Sequence, residues 1–549
     1  MPAAIFFEPE GYTTSGARLM GRQAAGKGFL RAAVAGRGAE DLWSYTASRD
    51  SAIAFAKEVK AIDPAAEGKW CPAHRLDMLE QVGTLYYPGP DLDGAGRLRL
   101  RRGGAAYSLC GITHTTASHK AMDAMSGLLT GPLMPWDALI CTSSAVLDTV
   151  KTHFDATVEY LRWRFGSAVK VPRIQTPVIP LGVHSGDYVY SDEERSAARA
   201  ALGAAEDELV VLYVGRLSFH AKAHPDAMYL GLEAAARATG KKVKMLHAGW
   251  FANQGTEDAF RQGAAAAAPS VTAAYVDGRD PKQLRAAWAS ADLFVSLSDN
   301  IQETFGLTPI EAMAAGLPVV VTGWNGYKDT VRDGVDGFRI ATRMPLAGDE
   351  GLALRHESGT YNYDRYCAVS CQTVSVDLAA LTEKLTALLS SEDLRRTMGA
   401  AGRERARTDY DWAVVFAQYR GLWDELKARR EAAKTSAAGY LRQAPRVSPT
   451  RLAPSRSFAH YPTVPVTLDT IVIADNRADG RDFDAVIASG LFSYIDGAIA
   501  DKATVHALLG GSAEPASIRD LAAGAKVHET QALLAASMLM KMGLLRPAA

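Results

Sequence analysis

The chain has 549 residues, 48% apolar and 22% charged, ordinary values for globular protein, which exclude wholesale disorder and leave room for roughly three or four domain-sized units. Sixty Lys and Arg against 61 Asp and Glu give a formal net charge of −1, which excludes a globally basic nucleic-acid binder and an acidic solvating chain. No uncharged apolar run approaches the ~18 residues of a membrane span. The opening Met1–Pro9 lacks a basic stretch and reaches Glu8 too early for a secretion signal. The expectation is a cytoplasmic protein, with contact at the inner face of a membrane left open.

From residue 1 to about 340, short β-rich runs alternate with longer helical patterns, the rhythm of parallel α/β units. In the first half, residues 1–185, the expected strands are Ala4–Phe7, Gly83–Tyr87, Ala105–Leu109 and Asp137–Thr142, with Val178–Val183 as the exit. In the second, residues 186–410, they are Leu209–Val214, Val243–Ala248, Val271–Val276, Leu293–Leu297 and Val319–Val321. Helical patterns at Pro225–Thr239, Glu257–Ala268, Pro281–Ser290 and Pro309–Ala315 separate them, the last closed by Gly316 and Pro318. The fold class is therefore α/β, two Rossmann-like domains facing across a cleft, where ligands preferentially bind.

Residues 342–375 interrupt the rhythm and read as a long loop or insertion. Helical patterns follow at Val376–Leu389, Glu392–Thr408 and Trp412 to about Arg430, the last with a 3.6-residue apolar period. Residues 427–460 hold eight Lys or Arg against one Glu, with Pro445, Pro449 and Pro454, so 431–460 reads as a basic linker. Residues 461–549 form a small, mainly helical accessory domain whose end, Ser517–Ala522 and Glu529–Met542 around Gly524, has helix-turn-helix spacing.

The most informative stretch runs from Glu303 to Pro318. One Glu stands in the loop after a strand and another, Glu311, on the following helix; between them a glycine-containing turn leaves backbone N–H groups free at a helix start, a ready anion site. An acid one turn into that helix can accept hydrogen bonds from vicinal hydroxyls such as those of a ribose. Upstream, Arg216 and Lys222 follow the expected strand Leu209–Val214.

Glu303-x7-Glu311, with Phe305-Gly306-Leu307 and Glu311-Ala-Met-Ala-Ala-Gly-Leu-Pro318, resembles the signature of family-4 (group 1) retaining glycosyltransferases of the GT-B fold. Gly215-Arg216-Leu217 with Lys222, Asp292–Ser298, and Asp333–Phe338 are similar to that family's neighbouring segments. The resemblance covers about residues 1–430 and is strongest over 209–340. It implies a hexosyltransferase that takes its sugar from a nucleoside diphosphate and leaves an α-linkage. Glu311 would hold the ribose, Arg216 and Lys222 the diphosphate, with the backbone of Phe305, Gly306, Leu307 and Thr308 helping. Glu303 would orient the sugar, and His114, in Gly111–Thr116, would reach it from the first domain, with His119 as fallback. Gly16 or Gly21 stands where the family has a glycine-rich turn near the phosphates. Residues 411–430 resemble a helix that crosses back onto the first half. The resemblance implies no metal and no cofactor.

Competing readings attach to several features. Gly21-x4-Gly26-Lys27 mimics a P-loop but has Gly28 where Ser or Thr would bind magnesium. Asp91-x-Asp93 reads as a turn, His220 and His224 as two histidines without a third ligand, and Cys367 with Cys371 as free thiols in a loop. The alternatives in function are a non-catalytic nucleotide-sugar-binding scaffold and a nucleic-acid-binding regulator acting through the C-terminal helices. Against the second, Glu529–Met542 carries Lys541 as its one cation. The acceptor, whether glycan, lipid, protein or small molecule, stays open, as does homo-oligomerisation through the C-terminal domain; no nucleic-acid partner is expected.

Overall fold

Runs rich in β-branched and other apolar residues, buried on both faces in the central strands, build two parallel sheets, as expected where crossover helices cover both sides. The computed structural model describes residues 3–13, 21–475, 482–492, 494 and 499–548. The first sheet contains β1 (Ala4–Phe6), β2 (Leu42–Thr46), β3 (Gly68–Pro72), β4 (Thr84–Tyr86), β5 (Ser108–Ile112) and β6 (Ala138–Ile140), in the order β3-β2-β1-β4-β5-β6. The second contains β7 (Glu208–Val214), β8 (Lys242–Gly249), β9 (Val271–Asp277), β10 (Leu293–Ser296), β11 (Val319–Thr322) and β12 (Gly337–Ile340), in the order β12-β11-β10-β7-β8-β9. Every pairing in both sheets is parallel.

Both orders follow one rule. The first strand starts mid-sheet, the next two wind to one edge, and the fourth returns beside the first to wind the other way. That places a crevice at the carboxyl ends of β1 and β4 in one domain and of β7 and β10 in the other. The register Val211↔Met245 and Leu212↔Leu246 aligns two fully buried runs, and each such side chain contributes ~1.5–3 kcal/mol.

Strands β7 to β11 fall within two residues of the sequence expectation. In the first domain β2 and β3 were not anticipated: β2 interleaves Ser44 and Thr46, and β3 is a half-buried edge strand with a lysine and a proline. The strand expected at Ala105–Leu109 lies at Ser108–Ile112, because the backbone N–H of Leu109 is anchored to the buried Asp137 carboxylate at 2.8 Å. Asp137 also takes both arms of the fully buried Arg99 at 2.6 and 2.7 Å.

Residues 342–375 are not a loop. They hold two helices, Glu350–Glu357 and Tyr363–Cys371, between β13 (Thr342–Arg343) and β14 (Ser375–Val376), which pair antiparallel. Cys367 and Cys371 are thus one turn apart on a helix, both buried and free. The P-loop reading falls as well: Gly26 and Gly28 sit inside the helix Gly21–Ala35, against the Gly11 carbonyl and the Trp412 indole. Asp93 opens the helix Asp93–Arg99 and pairs with Arg97 at 2.9 Å.

The helix Trp412–Ser436 crosses onto the first domain as the resemblance implied, and it runs past Arg430. Trp412, Phe416 and Tyr419 surround Phe29 with ring centroids at 6.2, 5.9 and 5.5 Å. At its far end Arg430 donates to Ser108 Oγ at 2.9 Å and to the Gly83 carbonyl.

Residues 1–448 form one compact unit and 449–549 a second. In the second, β15 (Ile471–Ala474), β16 (Ala516–Ser517) and β17 (Leu545–Pro547) make an antiparallel sheet in the order β16-β15-β17. Helices occupy Ile518–Ala525 and Glu529–Lys541, the two stretches expected to be helical at Ser517–Ala522 and Glu529–Met542. They meet at a turn where Lys526 adopts φ 55°. Ala532, Ala535, Ala536 and Leu539 face the core. No described helix is long and apolar enough to cross a membrane.

Candidate functional site

The crevice between β7 and β10 collects the residues singled out in the second domain. The loop after β7 carries Arg216 and Lys222; the loop after β10 carries Gln302 and Glu303, and the helix Leu307–Ala314 follows. Asn300 Nδ2 donates to the His220 carbonyl at 3.0 Å, Asp299 accepts from the His224 N–H at 3.3 Å, and Ser298 Oγ donates to the Lys222 carbonyl at 3.4 Å. These bonds tie the two loops together so that Lys222 Nζ meets Glu303 Oε2 at 3.2 Å, with side chains 33% and 13% exposed.

Arg216 reaches the same loop one residue earlier. Its Nη2 donates to Gln302 Oε1 at 3.0 Å, Gln302 Nε2 donates to the Tyr363 hydroxyl at 2.9 Å, and that hydroxyl meets Thr115 Oγ1 at 3.0 Å. Gln302 and Tyr363 were not singled out from sequence. The signal for Tyr363 was hidden because its segment reads as an irregular insertion.

Burial pushes the Glu303 carboxyl up, but the Lys222 ammonium and the N–H groups of Thr304 and Phe305 outweigh it, holding Glu303 below the usual carboxylate range. Glu311 lacks such a cation. Burial raises it to about 7, against the pull of a hydrogen bond with Tyr188. Tyr188 comes from the short turn Ser185–Tyr188 on the interdomain connection, a partner the sequence did not signal. Burial likewise pushes the Asp299 carboxyl up to about 7.

Gly306 needs its missing side chain. It caps the helix Leu307–Ala314 at φ 83°, and a Cβ would stand 2.0 Å from Tyr327 Cε1. Phe305 is a core residue, 2% exposed, and its N–H serves Glu303 Oε1 at 3.4 Å. With the Phe305 N–H engaged and Pro309 lacking one, the backbone donors at the start of this helix are those of Gly306, Leu307 and Thr308.

Across the cleft, His114 follows β5. Burial drives its imidazole down to about 4, Arg22 adding to the effect and a hydrogen bond to the Pro88 backbone opposing it. It is a neutral ring near pH 7. The two domains meet beside it: Thr304 Oγ1 donates to the His114 carbonyl, and Ser143 Oγ donates to the Thr304 carbonyl at 2.8 Å. Asp329 takes the N–H and hydroxyl of Ser144, each at 2.6 Å, a carboxylate on the N-terminus of the helix Ser144–Phe165. His119, the fallback, is committed elsewhere: it stacks on His356 at 3.7 Å and its Nε2 meets the His356 carbonyl at 2.8 Å. With Tyr363 on Thr115, the segment 350–371 spans both domains.

The structure thus joins Lys222 to Glu303 and sets Arg216 on the neighbouring Gln302, with Glu311 along the helix that follows and His114 joined to the same loop from the other side. Gly16 lies outside the described residues. Gly21 opens its helix with nothing within 4 Å of a Cβ position, so no packed neighbour demands a glycine there. His220 engages Ser218 and the backbone of His224 serves Asp299; among the described residues no three His, Cys, Asp or Glu cluster for a metal.

Residues 194–351 match the family described as "Glycosyl transferases group 1". They are a group 1 glycosyltransferase domain. This stretch contains Arg216, Lys222, Glu303 and Glu311 and spans all six strands of the second sheet, β7 to β12. Curated relatives named D-inositol 3-phosphate glycosyltransferase align in part. The protein of Geodermatophilus obscurus is 35% identical over 189 residues, 33% of this chain and 40% of that one. The protein of Nocardia farcinica is 32% identical over 170 residues, 31% and 37% of the two chains. This chain thus spans well under half the length of these relatives. Among solved structures, sucrose-phosphate synthase from Thermosynechococcus elongatus aligns at 17% identity over 78% of this chain and 100% of that one, with a TM-score of 0.46.

Proposed function

We propose that this chain is a retaining hexosyltransferase that moves a sugar from a nucleoside diphosphate to an acceptor hydroxyl, leaving an α-linkage. The observation that carries the reading is the Lys222–Glu303 pair at the β7/β10 crevice, 3.2 Å apart inside a group 1 glycosyltransferase domain. A cation and a carboxylate side by side suit a donor whose diphosphate is anionic and whose sugar offers hydroxyl donors.

In this reading the diphosphate lies against Lys222, Arg216 and the N–H groups of Leu307 and Thr308. These are fixed charges and dipoles that interact most strongly with the charge developing on the leaving group. Glu311 accepts from the ribose hydroxyls and Glu303 from the sugar. His114, neutral near pH 7, contributes an uncharged donor or acceptor from the first domain. The C1–O bond to phosphate breaks, a bond from C1 to the acceptor oxygen forms on the same face, and the acceptor proton passes to a phosphate oxygen. No protein base, metal ion or cofactor is part of the proposal. Domain closure through Thr304, Ser143 and Asp329 limits water, which would otherwise hydrolyse the donor. The five buried free thiols suit a reducing compartment, and the proposed setting is cytoplasmic.

The test is thermal shift and calorimetry with UDP-, GDP- and ADP-sugars, followed by NMR of the product's anomeric centre with and without EDTA. One donor raising the melting temperature by several degrees, with an α-product formed equally in EDTA, is expected. A β-product would overturn the retaining mechanism, and donor bound without transfer or hydrolysis would favour the non-catalytic scaffold.

A further inference from the structure

The helix Ser144–Phe165 has 22 residues, so it is ~33 Å long, whereas β6 beside it has three. Its buried stripe runs Val146, Val150, Phe154, Val158, Leu161 and stops. The helix continues past the core for four more residues, and 162–168 are exposed on every side.

The overhang should be polar if it were only solvated, yet this helix end, from Tyr160 onward, carries three large exposed rings. Tyr160, Trp163 and Phe165 are 56%, 77% and 67% exposed. Trp163 is the one exposed tryptophan of nine. Tyr160 and Trp163 pair at 5.8 Å, and the Arg164 guanidinium lies 5.6 Å from the Phe165 ring. Arg162, Arg164 and Lys170 form no ion pair among the described residues, and Arg173 is paired with Asp155 at 2.7 Å. Over 159–173 four cations stand against the single Glu159.

We propose that this overhanging helix end docks on an anionic lipid surface. Tyr160, Trp163 and Phe165 enter the boundary between headgroups and acyl chains, and Arg162, Arg164 and Lys170 meet the lipid phosphates. Amphipathic rings are favoured at that depth, and juxtaposed cations add attraction to negative headgroups. The all-round exposure argues for lipid over a protein groove: a groove takes one face of a helix, whereas a fluid interface accommodates a projecting end on all sides. The inference does not rest on the proposed sugar transfer.

The test is co-sedimentation of the full chain with vesicles of phosphatidylcholine containing about one-third phosphatidylglycerol, and with phosphatidylcholine alone. Binding to the anionic vesicles is expected to exceed binding to the neutral ones and to weaken as salt rises from about 0.05 to 0.5 M. Trp163→Ser with Phe165→Ser should reduce binding about tenfold or more, and Arg162→Gln with Arg164→Gln should abolish the preference for anionic vesicles. Because these side chains lie mostly in solvent, both variants should melt with the parent. Equal sedimentation of parent and variants, or none with anionic vesicles, overturns the proposal. So does a parent dimer in light scattering that the Trp163/Phe165 variant converts to monomer while sedimentation is unchanged, since the rings would then join two copies of the chain.

Discussion

Replacing Glu303 with Gln and Lys222 with Met should separate a working diphosphate site from a merely structural ion pair. In the free protein Lys222 is engaged by Glu303 at 3.2 Å. A diphosphate on the other side of the ammonium would bring its charge roughly 6 Å from the carboxylate, two such contacts away. At an effective dielectric of ~20 that repulsion is about 2–3 kcal/mol per unit charge, less after ionic screening. Glu303→Gln should therefore bind the nucleoside diphosphate product as tightly as the parent or up to about tenfold more tightly, while turnover falls by ~10²–10³. Lys222→Met should weaken the same product by roughly 10- to 100-fold, a charge-assisted bond of ~1.5–3 kcal/mol.

Stability gives an independent check. Glu303 is held below the usual carboxylate range in the folded state, so its pairing stabilises the protein above that range, and the contribution fades as pH falls through the lowered value. The destabilisation of Lys222→Met should be full at pH 7 and shrink in acid. Calorimetric titration with the diphosphate and melting curves against pH measure both. Equal weakening of product binding by the two substitutions would refute the reasoning, because Glu303 would then shape the pocket and not oppose the anion.

Gly306→Ala should cost about 3 kcal/mol or more, from positive φ and overlap with the Tyr327 ring; a melting temperature unchanged from the parent would contradict the turn described. For Glu311 the folded value near 7 lies above the ordinary 4.5, so the folded state keeps a proton that the unfolded chain loses. Stability should fall as pH rises from about 4.5 through 7 and then level off. Glu311→Gln should remove on the order of 3 kcal/mol of that decline between pH 5 and 8, measured by denaturant titration against the parent. Tyr363→Phe removes the hydroxyl that receives Gln302 and should lower kcat about five- to tenfold through a looser Arg216, with the melting temperature within a few degrees of the parent.

Strands β7, β8, β10 and β11 could be read from sequence because they are buried on both faces, which demands unbroken runs such as Val210-Val211-Leu212 and Val319-Val320-Val321. The same demand does not act on β3, an edge strand open to solvent, nor on β2, whose Ser44 is buried but satisfied by the Lys69 carbonyl. The helices at 350–371 were hidden for a related reason: their stabilising contacts, His356 on His119 and Tyr363 on Thr115, come from more than 200 positions away.

Sequence alone singled out the candidate residues: Glu303, Glu311, Arg216 and Lys222 stand in a local pattern of turn, helix start and strand end whose spacing needs no distant partner to be recognised. Tertiary structure decided what those residues touch. The joining of Lys222 to Glu303 depends on β10 returning beside β7, and the chain from Arg216 through Gln302 and Tyr363 to Thr115 depends on two domains closing. Hydrogen bonds and ion pairs act over a few ångströms, and those few ångströms are set by packing between segments that the linear order keeps about 60 to 250 residues apart.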